Sequence, residues 1–77
     1  MPHVSIKLYP GRSEEEKSRL ADQIVKDVMT YANCAEASVS LTIEEVPRAD
    51  WPEKVYRPEI LEKAEQLYKK PGYNPFE

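Results

Sequence analysis

Two stretches of this chain alternate between apolar and polar residues, and a longer stretch between them repeats its apolar residues every three or four positions. From His3 to Tyr9, Val4, Ile6 and Leu8 point one way while His3, Ser5, Lys7 and Tyr9 point the other, the period of a half-buried strand. Pro10-Gly11 ends this strand as a turn. Ser13 followed by Glu14, Glu15 and Glu16 is a capping box, with acidic residues where the helix dipole favours them. Leu20, Ala21, Ile24, Val25, Val28, Tyr31 and Ala32 then recur at helical spacing, predicting a helix over 14–32 with Asn33 as a left-handed stop. Ser38 to Val46 alternates again, with Val39, Leu41 and Ile43 on one side and Ser40, Thr42 and Glu44 on the other. Strand, helix and strand in this order predict a βαβ unit with parallel strands and a right-handed crossover.

Beyond the second strand the pattern is less regular. Pro47, Pro52 and Pro58 predict a loop holding one short helical turn begun by Asp50 and Pro52. From Glu59, the residues Ile60, Leu61, Ala64, Leu67 and Tyr68 recur at helical spacing. Lys69-Lys70 and then Pro71-Gly72 mark the end of this second helix. Tyr73 to Glu77 form a short tail. The expectation is a single α+β domain over residues 1–77.

Length sharpens this picture. A chain of 77 residues buries a small core and rarely stands without a staple. Cys34 is the only cysteine and His3 the only histidine, which leaves neither an internal disulfide nor a metal-ligand cluster. Two strands do not close a core, and each exposes an edge that natural proteins cover. Association is therefore expected, with two copies pairing into a four-stranded sheet that carries helices on one face. The net charge of -3, from 11 basic and 14 acidic residues in scattered positions, argues against nucleic acid as a partner. No apolar run approaches the ~20 residues that span a bilayer. A lone thiol and the lack of a basic, then apolar, leader fit a reducing cytoplasm.

Pro2 is the position with the clearest chemistry. Removal of Met1 exposes a secondary amine at the head of the first strand. An α-amino group titrates near 7.7–8.0, and a dry pocket or a neighbouring cation lowers that value, giving a neutral amine able to act as general base. Proline makes up about 5% of residues generally, so Pro2 alone says little. Proton abstraction beside a carbonyl builds negative charge on its oxygen, and a fixed cation such as an arginine stabilises it. The planar guanidinium also pairs with a carboxylate through two hydrogen bonds. Taken alone, Arg12 reads first as a solvated turn residue, and Trp51 reads as well as a packing residue as it does as a pocket wall.

Together, Met1-Pro2, the alternating strand, Gly11-Arg12-Ser13 before an acidic helix start, Ser38-Val39, Ile43-Glu44-Glu45-Val46 and the ending Lys69-Lys70-Pro71-Gly72-Tyr73 resemble the 4-oxalocrotonate tautomerase family. The likeness covers nearly the whole chain. It implies the tautomerase (MIF-like) fold, a βαβ protomer with a C-terminal helix. It also implies cofactor-free conversion of the enols of 2-oxo acids to their keto forms, with Pro2 as the proton carrier. Arg12 matches the arginine that binds the substrate carboxylate. Trp51 falls where the family has an aromatic lining the pocket and keeping the amine dry. Small bacterial members with this length and ending form homodimers, and shorter relatives form hexamers.

One position departs from the pattern. Ser40 stands where the hexameric members carry a second arginine, and a hydroxyl supplies a hydrogen bond to substrate but no charge. The expected substrate therefore moves from a dicarboxylate diene such as 2-hydroxymuconate toward a monoacid with an aromatic or apolar tail, such as phenylenolpyruvate. Arg48 and Arg57 are further cations in the following loop. Besides an isomerase, the alternatives are a hydratase or dehalogenase with protonated Pro2 as acid, and a non-catalytic assembly module in which Pro2 is incidental.

Overall fold

In the computed structural model, which describes residues 1–77, the chain divides into two compact units, Met1–Glu45 and Val46–Glu77. The first unit is the expected βαβ arrangement. Strands β1 (His3–Leu8) and β2 (Ser40–Glu45) pair in parallel, in a register running from His3 opposite Ser40 to Leu8 opposite Glu45. Helix α1 (Glu14–Tyr31) forms the crossover between them. Because side chains alternate along a strand, Val4, Ile6, Leu41 and Ile43 share the half-buried face, while His3, Ser5, Ser40, Thr42 and Glu44 are exposed on the other.

The start of α1 is fixed by its own sequence. Ser13 Oγ accepts the Glu16 N–H at 3.1 Å, and the Glu16 carboxylate accepts the Ser13 N–H at 2.9 Å. The bond from the Ser13 backbone, and next the Ser13 hydroxyl, hold the Glu16 carboxyl below its ordinary pKa. Lys17 bonds Glu14 at 2.8 Å and reaches Glu45 at 3.3 Å, fastening the helix to the end of β2. Both partners raise the Lys17 pKa, Glu14 more than Glu45. The helix stops as the asparagine predicts: Ala32 N–H bonds Val28 at 2.8 Å, and Asn33 takes φ 54°.

β2 is shorter than its alternation suggests. Residues Glu36–Ser38 form a 3₁₀ turn in which Ser38 N–H and Oγ bond the Ala35 carbonyl, and Val39 N–H bonds that of Glu36. These donors are spent locally, so the ladder opens at Ser40, whose N–H meets the Pro2 carbonyl at 3.1 Å.

The second unit departs further from expectation. A 3₁₀ turn at Arg48–Asp50 leads into helix α2 (Pro52–Leu61), which is wound in the wide π manner and runs straight through Pro58 where a loop was predicted. Proline has no N–H to give and its ring crowds the carbonyl four residues back, so a wider turn accommodates Pro58 where an ordinary helical turn would kink. The closing bond, Glu62 N–H to Arg57 carbonyl at 3.0 Å, spans five residues.

The second helix expected from Glu59 to Lys70 does not form. It is replaced by the end of α2, a 3₁₀ turn at Ala64–Gln66, and an irregular run of bends and turns from Leu67. Of its apolar stripe only Ile60 and Leu67 are half-buried, while Leu61, Ala64 and Tyr68 are exposed, and so weakly packed a stripe of this length does not sustain a helix. The buried residues of the chain, Val46, Val55 and Tyr56, lie in this unit. In α1 no residue is fully buried.

Candidate active site

Pro2 precedes β1 and is half-buried, with its carbonyl held by the Ser40 N–H. That bond exists because the parallel register sets His3 beside Ser40, which places the first β2 donor over the residue before β1. Met1, bonded to the Pro2 nitrogen, stands fully in solvent. Ser40 thus meets Pro2 through its backbone. Its side chain is also engaged: Ser40 Oγ lies 2.6 Å from His3 Nδ1, across the exposed face of the sheet.

Arg12 sits at the opposite end of β1. Gly11, at φ 125°, makes the turn that a residue with a side chain rarely adopts, and the exposed Arg12 that follows donates from Nη1 to the Tyr9 carbonyl at 3.5 Å. Between Pro2 and this turn lie the six residues of β1, about 20 Å of strand at ~3.3 Å per residue. The structure therefore brings Pro2, His3 and Ser40 together and keeps Arg12 of the same chain apart from them.

Trp51 belongs to the second unit, between the 3₁₀ turn and α2, and is half-buried. Its indole Nε1–H donates to the Tyr73 hydroxyl at 2.9 Å. Tyr73 is in turn seated on the buried Tyr56, whose hydroxyl donates to the Tyr73 carbonyl at 3.2 Å and whose ring lies 5.5 Å from the Tyr73 ring. Phe76 packs edge-on against Tyr56 at 5.8 Å. Arg57 is committed here as well. It forks onto Glu53 at 2.8 and 3.1 Å, a pairing that raises its pKa, and its guanidinium lies 4.8 Å from the centre of the Phe76 ring. Of the two spare cations noted in the sequence, Arg57 is thus occupied by the tail, and Arg48 lies in the 3₁₀ turn.

An open groove of about 290 Å³ lies in the first unit, lined by Asp22, Val25, Lys26, Met29, Glu36 and Val39. None of Pro2, Arg12 and Ser40 lines it. No group of three or more His, Cys, Asp or Glu residues is placed to hold a metal ion. No helix is long and apolar enough to cross a membrane. The sequence set His3 on the polar face of the first strand and left Tyr73 in the short tail. The only signal for Tyr73 was its place in the Lys69–Tyr73 ending.

A parallel βαβ unit headed by a proline and turned by Gly-Arg-Ser describes a tautomerase, and the comparisons agree. Residues 2–53 match the family described as tautomerase enzyme, and the chain belongs to that family. Among individual proteins, it is 40% identical over 73 residues to a probable tautomerase of Xylella fastidiosa, covering 95% of this chain and 89% of that one. It is 39% identical over 75 residues to tautomerase PptA of an Enterobacter species, covering 96% and 99%. Among solved structures, it superposes with a TM-score of 0.62 and 28% identity on a 4-oxalocrotonate tautomerase isozyme of Methylibium petroleiphilum. That match covers 65% of this chain and 81% of the other. The chain is thus a tautomerase enzyme with the 4-oxalocrotonate tautomerase fold.

Proposed function

We propose that this tautomerase converts the enols of 2-oxo acids, of the phenylenolpyruvate kind, to their keto forms, with the free Pro2 amine as general base and no cofactor. In this reading residues 1–77 act as one tautomerase domain in the cytoplasm. The observation that carries it is the setting of Pro2: half-buried at the head of β1, pinned by Ser40, and blocked only by a Met1 that makes no packing to lose.

The proton bookkeeping is internal to the substrate. The enol O–H bond breaks and its proton passes to the Pro2 nitrogen. The C–O bond becomes C=O as the C=C electron pair moves to carbon, and the proton on Pro2 is delivered to that carbon. Nothing is oxidised or reduced overall. Arg12 pairs with the substrate carboxylate and steadies the negative charge of the intermediate enolate. Ser40, whose Oγ lies 2.6 Å from His3 Nδ1, offers the substrate a hydroxyl that carries no charge. Trp51 supplies an apolar wall that suits an aromatic tail.

The length of β1 adds a condition. Arg12 and Pro2 of one chain are too far apart to grip one small acid, so the arginine of each site comes from a second copy. Two observations support self-association into a homodimer or a larger ring. Strands β1 and β2 pair with each other and with no further strand, and only three residues of the chain are buried.

The test is ketonisation of phenylenolpyruvate followed by ultraviolet absorbance, after mass spectrometry has confirmed loss of Met1. Pro2→Ala should lower kcat/KM by about a hundredfold or more, the size of a general-base contribution. Equal rates for the two processed proteins, on this enol and on 2-hydroxymuconate, would remove Pro2 from the chemistry.

A further inference from the structure

The family match ends at residue 53, yet the indole of Trp51 is held by a residue well beyond it. We propose that Tyr73 is a positioning residue for the substrate site: the C-terminal tail fixes the orientation of Trp51, and so sets how well an apolar substrate tail is gripped. The proposal rests on the reading of Trp51 as a wall of that site.

The tail residues that matter are anchored separately from Trp51. Tyr56 is buried and belongs to α2, so it forms a stationary seat. Its hydroxyl fixes the Tyr73 backbone, and its ring meets both Tyr73 and Phe76. Arg57, itself locked by Glu53, lies over Phe76 from the next position of the same helix. Phe76 N–H also bonds the Asn74 side chain at 2.9 Å, which curls the tail locally. The Tyr73 ring is thus fixed at its backbone, with its hydroxyl left to meet the indole. An indole N–H has a single hydrogen to give, so the acceptor that receives it selects one direction for the ring. The tail, held from behind by Tyr56, thereby favours one orientation of the half-buried Trp51 indole.

Trp51 is the only tryptophan, so its fluorescence reports this contact without reference to activity. Tyr73→Phe removes one oxygen and leaves the ring on Tyr56. The expected result is a changed Trp51 emission and a KM for phenylenolpyruvate raised about three- to tenfold, with kcat within about twofold, as loss of a neutral hydrogen bond that acts in binding predicts. Ending the chain after Gly72 should move both readings further in the same direction. Tyr56→Phe, which frees the tail backbone while leaving the Tyr73 hydroxyl in place, should move them in that direction but less. Far-ultraviolet circular dichroism confirms that each variant is folded.

Trp51→Phe separates the two ideas. If it raises KM while Tyr73→Phe leaves KM unchanged, with or without an emission change, the proposal is overturned and the site reading stands. If Trp51→Phe itself leaves KM unchanged, Trp51 is not a wall of the site and the proposal falls with that reading.

Discussion

Because β1 separates Pro2 from Arg12, two inactive proteins should make an active one. The perturbation is to mix Pro2→Ala and Arg12→Ala chains in equal amounts, unfold them together in denaturant, and let them reassemble. The six residues of β1 span about 20 Å, and Arg12 is held at the far turn by the Tyr9 carbonyl. An arginine side chain covers less than half of that distance, and a small 2-oxo acid does not bridge the rest. If each site takes its proline from one copy and its arginine from another, random reassembly finds an intact Pro2 half the time and an intact Arg12 half the time. About one site in four is then whole, for a dimer or for a larger ring alike. The mixture should therefore recover about a quarter of the wild-type kcat/KM per chain, well above either parent refolded alone. The assay is ketonisation of phenylenolpyruvate under identical refolding conditions, with wild-type protein carried through the same cycle as the reference. A mixture no more active than the average of its two parents would refute the shared site and require both residues to come from one chain.

Two further outcomes follow from contacts in the first unit. Ser40→Ala should raise KM about three- to fivefold with kcat within about twofold, since the hydroxyl offers one neutral hydrogen bond; a tenfold fall in kcat would instead place it in the proton transfer. At the start of α1, Ser13→Ala should destabilise the chain by about 1 kcal/mol in urea unfolding at neutral pH. The capping box also has a sign in acid. The Glu16 carboxyl is held below its ordinary pKa, so its contribution is present above the ordinary carboxylate range and is lost as the pH falls through the lowered folded value. Glu16→Gln should therefore lack that part of the acid destabilisation, and its unfolding curve should approach that of the native protein at low pH. Parallel curves for the two proteins across the acid range would contradict this account.

The first unit was legible because each of its elements is decided by neighbours in sequence. Ser13 and Glu16 start the helix, Asn33 ends it, and alternation sets both strands and their faces. The error at Ser38 came from reading alternation alone: Ser38 and Val39 fit the pattern, but their donors were already spent in a turn. The second unit was misread for the opposite reason. Pro58 signals a break only if the surrounding turn has ordinary width, and Ile60 to Tyr68 signal a helix only if another surface receives them. Neither condition is written in the residues concerned. The site divides along similar lines. Pro2 was legible from the chemistry of its amine, and Arg12, Ser40 and Trp51 from resemblance to a family, while the bonds between Ser40 and His3, and between Trp51 and Tyr73, join residues far apart in the chain. Such pairs emerge only once the strands are in register and the tail is seated.

The bond between Ser40 and Pro2 also bears on how the protein comes to exist. His3 and Ser40 are separated by 37 positions, and parallel pairing is a slow, non-local step compared with forming α1. During synthesis β1 leaves the ribosome long before its partner strand and stays unpaired until β2 follows. Pro2, made before Ser40, is thus among the last residues to be put in place. A chain whose helix has formed but whose strands have not yet met would look largely folded by circular dichroism while Pro2 still lacks its bond to Ser40.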